Sequence, residues 1–126
     1  MFVPDNLRDI NLENYSRIAV AFSGGLDSSV LLHSLVSIPE FKERVFAIHV
    51  DHGLSPNSKS WIKHCEKFCS VLGVNFIPLT IELKNSKTNE NILRQARYEA
   101  FFSCLEKGDV LCTAHHQDDH IETILF

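Results

Sequence analysis

The chain has 126 residues, 44% of them apolar and 22% charged, and a formal net charge of −4 from 12 basic and 16 acidic side chains. That composition suits one globular domain and excludes a disordered tail, a collagenous repeat and a disulfide knot. The charge excludes a surface that gathers polyanions by its overall field, so the chain alone is a poor holder of nucleic acid.

Residues 1–16 read as an N-terminal extension. The first strand is RIAVAF (17–22), which ends on the polar turn SGGLDSS. A helix opens there, with Val30, Leu31, Leu35 and Ile38 on one face at 3.6-residue spacing. VFAIHV (45–50) is a second strand, closed by Asp51, His52 and Gly53. Ser55 and Pro56 predict the N-cap and first position of a second helix. Its apolar stripe is Trp61, Ile62, Cys65, Phe68, Cys69 and Leu72, with Gly73 as C-cap, and Trp61 is expected in the core.

NFIPLTIEL (75–83) is a third strand, which Pro78 makes an edge or irregular one. A third helix turns Ile92, Leu93, Ala96, Ala100 and Leu105 inward, and Gly108 follows it. DVLCTA (109–114) is a fourth strand, and HHQDDHIETILF (115–126) predicts the start of a fourth helix. Strand and helix alternating four times predict right-handed βαβ crossovers. The fold class is α/β, a doubly wound parallel sheet with helices on both faces. Ile121, Ile124, Leu125 and Phe126 carry a helical pattern without a cap, so residues 1–126 are expected to be the front part of a longer domain.

No apolar run approaches the ~20 residues of a membrane-spanning helix. The opening stretch MFVPDNLRDINLENYSR carries acids where a signal peptide is apolar, which points to the cytoplasm. Cys65, Cys69, Cys104 and Cys112 could form a zinc set or two disulfides. None has CxxC spacing, and free thiols packed as small hydrophobes in a reducing compartment fit better.

Ligands of open α/β sheets bind beyond the carboxyl ends of the strands, and three polar clusters fall there. In the first, Ser23, Gly24, Gly25, Leu26, Asp27 and Ser28, two glycines permit a tight turn whose N–H groups and following helix dipole attract an anion. Neither the P-loop lysine pattern nor G-x-G-x-x-G is present. The alternative is a plain strand-to-helix turn with an acid near the helix start. The second cluster is His49, Val50, Asp51, His52 and Gly53, which could also simply cap a strand and satisfy a turn.

In the third cluster, helical spacing places His115 and Asp119 on one face with Glu122 a turn beyond. Asp118 and Asp119 repel unless a cation sits between them; alternatively, these acids complement a helix dipole. His116 and His120 have zinc spacing but lack H-E-x-x-H or a cysteine partner. Arg94 and Arg97 lie three apart on the third helix, where Glu90–Arg94 could be a solvated i,i+4 pair.

SGG-x-DS after a first strand resembles the pyrophosphate loop of the N-type ATP pyrophosphatases, the PP-loop superfamily. HVDHGLSPNS-x-x-W, NILRQARYEAF and TAHHQDDHIET resemble the tRNA(Ile)-lysidine synthetases in order and spacing, over about residues 17–126. Members of that family are considerably longer. The resemblance implies ATP-dependent ligation of free L-lysine to the wobble cytidine of tRNA(Ile) with a CAU anticodon. An adenylated cytidine would form with release of pyrophosphate and then AMP, changing codon reading from AUG to AUA.

It also implies roles. Residues 23–28 would cradle pyrophosphate, and Asp27 would ligate Mg2+, with Asp118 and Asp119 as further metal candidates. His49 to Gly53 would lie against adenine and ribose. Asp119 and Glu122 would hold the lysine or the metal, and His115 is a candidate base for the attacking amine. Arg97 would reach the adenylated intermediate, because guanidinium binds phosphate as a fork. On this reading the 126 residues bind ATP weakly without modifying tRNA alone, and a homodimer burying the open end is one arrangement. Two other readings use the same fold. A PP-loop tRNA sulfurtransferase would need cysteines at the rim, and a non-catalytic ATP-binding module would have no use for acids near phosphates.

Overall fold

Apolar segments of five to seven residues, rich in Val, Ile, Ala and Phe, build the centre of the molecule as strands. The computed structural model describes residues 12–53, 56–82, 89–115 and 120–126. After a 3-10 turn at Leu12–Asn14, the elements run β1 (Arg17–Ala21), α1 (Leu26–Val36), α2 (Pro39–Lys42), β2 (Val45–Asp51), α3 (Ser58–Leu72), β3 (Asn75–Thr80), α4 (Glu90–Phe102), β4 (Asp109–His115) and β5 (His120–Leu125). The strands form one sheet in the order β3-β2-β1-β4-β5. β1 pairs in parallel with both β2 and β4, and β2 with β3.

Strand alternation divides the core between the two faces. Ile18, Val20 and Phe22 point to one side, where Leu31, Leu32 and Leu35 of α1 and Cys65 and Cys69 of α3 cover them. Ala19, Ile48 and Leu111 point to the other, beneath Phe101 of α4. This is the doubly wound arrangement expected. Pro78 sits on β3, an edge strand, as its missing N–H requires. Gly73 ends α3 in the left-handed conformation at φ 74°.

Three expectations are corrected. Residues 120–125 form a strand antiparallel to β4, with Val110 opposite Leu125 and Thr113 opposite Glu122, where a fourth helix was predicted. The β-branched Ile121, Thr123 and Ile124 favour extended backbone, and pairing satisfies the outer backbone groups of β4. The sheet is thus parallel except at this edge. The N-cap of α3 is Asn57, with Pro56 in a turn; Ser55 lies outside the described residues. Trp61 is not in the core: it is 44% exposed.

All four cysteines are free: Cys65, Cys69 and Cys112 are buried and Cys104 is half-buried. Among the described residues, no helix is long and apolar enough to cross a membrane.

Candidate nucleotide site

At the carboxyl ends of β1, β2 and β4 lies a cleft of about 940 Å³, walled by the loop after β1, the end of β2 and the first turns of α4. The loop is set by its own hydroxyls. Ser28 Oγ accepts the Ser23 N–H at 3.2 Å and donates to the Gly25 carbonyl at 3.3 Å. The two hydroxyls also lie 2.9 Å apart, so they are bonded to each other as well. Ser23 Oγ in turn accepts the Gly25 N–H at 3.2 Å. Gly25 is the N-cap of α1, so the positive end of the α1 dipole faces the cleft, and Asp27 in the first turn lines it.

Gly24 is required twice over. Its φ is +85°, and a Cβ there would stand 2.6 Å from Cys65 Sγ and 3.1 Å from the Trp61 ring. α3 therefore packs directly against the back of the loop. The Trp61 indole also donates to the Ser23 carbonyl at 2.7 Å.

The second cluster lies where predicted, with His49, Val50, Asp51 and His52 lining the cleft. His49 is 7% exposed, and its Nδ1 lies 2.9 Å from the Phe22 carbonyl oxygen, so that nitrogen carries the proton. Asp51 accepts the Gly53 N–H at 3.2 Å. Strand-end and turn contacts thus coexist with a place on the cleft wall.

On α4, Asn89 caps the helix by accepting the Ile92 N–H at 2.9 Å. Both Arg94 and Arg97 reach the cleft, and the Arg94 guanidinium lies over the Tyr98 ring at 5.4 Å.

The third cluster is only partly visible. His116, Asp118 and Asp119 lie outside the described residues, as do the side chains of His115 and His120. The shared helical face predicted for His115, Asp119 and Glu122 does not exist, because β4 ends at His115 and β5 begins at His120. Glu122 instead pairs with Thr113, whose hydroxyl donates to the Glu122 carbonyl at 3.5 Å.

Among the described residues, no three His, Cys, Asp or Glu side chains gather to hold a metal. A magnesium ion needs less from the protein, since one or two carboxylates plus substrate phosphates suffice. Asp27, beside the loop, fits that requirement.

Sequence reasoning missed Trp61, Asn57, Tyr98 and Thr113 as cleft residues. Trp61 carried a signal: it lies in the first turn of a helix that starts at the ligand-binding end of the sheet. Such a turn overhangs the strand ends.

Residues 4–126 match the PP-loop domain family. The chain is 46% identical over 114 residues to a tRNA(Ile)-lysidine synthase of Legionella pneumophila, covering 90% of this chain and 26% of that one. With the tRNA(Ile)-lysidine synthase of Salmonella dublin it shares 49% over 115 residues, covering 86% and 26%. The chain spans about a quarter of the length of these curated relatives. In fold it resembles a U34-tRNA thiolase from Methanococcus maripaludis, at a TM-score of 0.62 and 20% identity over 89% of this chain and 42% of the thiolase.

Proposed function

The chain belongs to the PP-loop domain family, and from that premise we propose that it serves ATP-dependent ligation of free L-lysine to the wobble cytidine of tRNA(Ile). One observation carries the reading. The serine- and glycine-built loop, the end of β2 and two arginines of α4 converge on a single cleft at the carboxyl edge of the sheet, in a chain whose relatives are lysidine synthases.

The proposed reaction has two displacements. The cytidine O2 attacks the α-phosphorus of ATP, and the bond from that phosphorus to the oxygen bridging to the β-phosphate breaks, releasing pyrophosphate. The lysine ε-nitrogen then attacks C2, and the C2–O bond breaks to release AMP. Residues 23–28 receive the β- and γ-phosphates on backbone N–H groups at the positive end of the α1 dipole. His49 to Gly53 flank the nucleoside. Arg97 stabilises charge on the α-phosphate as a fork, and Arg94 lies beside it. Asp27 would hold Mg2+, which when bound would neutralise phosphate charge. His115 would take the amine proton, Asp119 and Glu122 would help hold the lysine or the metal, and Asp118 is a further metal candidate. The tRNA carries a CAU anticodon, and the setting is the cytoplasm.

A tRNA sulfurtransferase reading would need a thiolate at the rim. Burial instead pushes the thiols of Cys65 up to about 11 and of Cys69 and Cys112 up to about 12.

The test is product analysis with α-labelled ATP and magnesium, with and without lysine and unmodified tRNA(Ile). It is run on the 126-residue chain and on a form extended to the length of its relatives. AMP that requires both lysine and tRNA and accompanies lysidine supports the proposal, and it is expected from the extended form alone. Formation of ADP, or ATP left untouched by both forms, overturns it.

A further inference from the structure

An anion cradle works by presenting N–H groups, and its weak point is its own carbonyls. An oxygen turned inward sets the negative end of a peptide dipole against phosphate. At the start of this loop, two consecutive carbonyls are both held by side-chain N–H groups from other elements. His49 Nδ1 of β2 lies 2.9 Å from the Phe22 oxygen, and Trp61 Nε1 of α3 lies 2.7 Å from the Ser23 oxygen. The Cys65 thiol adds a long 3.9 Å contact to that same Ser23 oxygen. In a planar trans peptide the N–H points opposite to its C=O, so drawing the Ser23 oxygen toward α3 turns the Gly24 N–H away from α3.

Burial in the core does not account for Trp61, whose ring stays 44% exposed. Its orientation is nonetheless fixed, by Gly24 on one side and by stacking on His64 at 4.8 Å between centroids.

We propose that Trp61 is a positioning residue for the pyrophosphate loop: its indole N–H keeps the Ser23 carbonyl out of the cradle, favouring the phosphate chain and not the nucleoside. This rests on the ATP reading of the cleft and deepens it. His49 does the corresponding work on Phe22, but it is buried, so its replacement would disturb the core as well.

Trp61 is the single tryptophan of the chain, so its emission reports on the loop directly. The 126-residue chain and its Trp61→Phe variant, which keeps a ring and loses the donor, are titrated calorimetrically with magnesium pyrophosphate, ATP and adenosine. Emission of the unsubstituted chain is followed in parallel. The expected result is a three- to tenfold rise (about one hydrogen bond) in the dissociation constants of pyrophosphate and ATP, with that of adenosine unchanged. Indole emission is expected to shift with pyrophosphate and not with adenosine.

Pyrophosphate affinity unchanged in a folded Trp61→Phe variant overturns the proposal, and so does an equal loss for adenosine and pyrophosphate. Should the variant not fold, emission of the unsubstituted chain decides: no shift at calorimetric saturation with pyrophosphate overturns it. If neither the unsubstituted chain nor the extended form binds pyrophosphate or ATP, the nucleotide reading itself falls, and the positioning role with it; if only the extended form binds, the same titrations of its Trp61→Phe variant decide.

Discussion

Arg17 grips Asp109 across 92 positions of sequence, with Nη2 2.6 Å from one carboxylate oxygen and Nε 3.1 Å from the other. The pair ties the first residue of β1 to the first of β4, at the end of the sheet away from the cleft. Asp109 is 2% exposed, whereas the Arg17 side chain is 41% exposed. Burial by itself would raise the Asp109 carboxyl. The Arg17 hydrogen bonds, the Glu106 N–H and the Arg17 charge outweigh it and hold the group below its ordinary value.

Stability from this pair is therefore complete above the unfolded carboxyl value of about 3.9 and drains away as pH falls through the lower folded one. Replacing Arg17 by Met strands the carboxylate and is expected to cost about 2–3 kcal/mol at neutral pH, less than a fully enclosed pair because Arg17 is part-exposed. Urea denaturation at pH 7 and at steps down to about 2 checks both points, since the variant should lose much of the acid limb.

Gly24→Ala is expected to destabilise the chain by at least about 2 kcal/mol, from the left-handed backbone and the collision with Cys65. Adding Cys65→Ala should return the part due to the sulfur and leave the parts due to φ and to the tight approach to Trp61. Denaturant midpoints of the two variants separate these contributions, and ATP binding should recover little in either.

Native alkylation is expected to stop at Cys104. Cys65, Cys69 and Cys112 are buried, and at pH 7–8 their raised thiols stay protonated. Intact-mass analysis after iodoacetamide should show one adduct on the folded chain and four in denaturant. Rapid native labelling of Cys112 would contradict the packing described.

Arg97→Ala is expected to lower AMP formation by about 100-fold in the extended form, the usual cost of losing one donor to developing charge. Arg97→Lys should recover little, since an ammonium cannot form the fork. Arg94→Ala should cost less, because its guanidinium already lies on Tyr98. Equal losses at the two positions would show that neither is singled out by the chemistry.

Much of this was legible in the residues. Periodicity gave β1 to β4, the three longer helices between them and the two-faced core, though not the short α2 or the 42% exposure of Ile92, while Pro78 and Gly73 marked an edge and a helix end. Loop 23–28 and the end of β2 were placed at one rim by topology, Arg97 came in only through the family resemblance, and all three share one cleft. β5 was not legible, because Ile121, Ile124 and Leu125 fit helical spacing while their strand partner is fixed by non-local pairing. The position of Trp61 was legible from its place in the first turn of α3 but not from the apolar stripe it shares. A stripe identifies the face of a helix but not how far along it the sheet beneath extends.

The placement of β1 between β2 and β4 also has a consequence in time. The strand that delivers the pyrophosphate loop can pair with β2 soon after synthesis, but its second neighbour arrives only when residue 109 does. Such non-local parallel pairing is intrinsically slow, since loop closure precedes any reward from contact. The loop thus gains its full footing only near the end of the 126 residues. A chain interrupted before β4 should yield no half-working cleft, so that assembly of the site is in effect a check that the chain has been made this far.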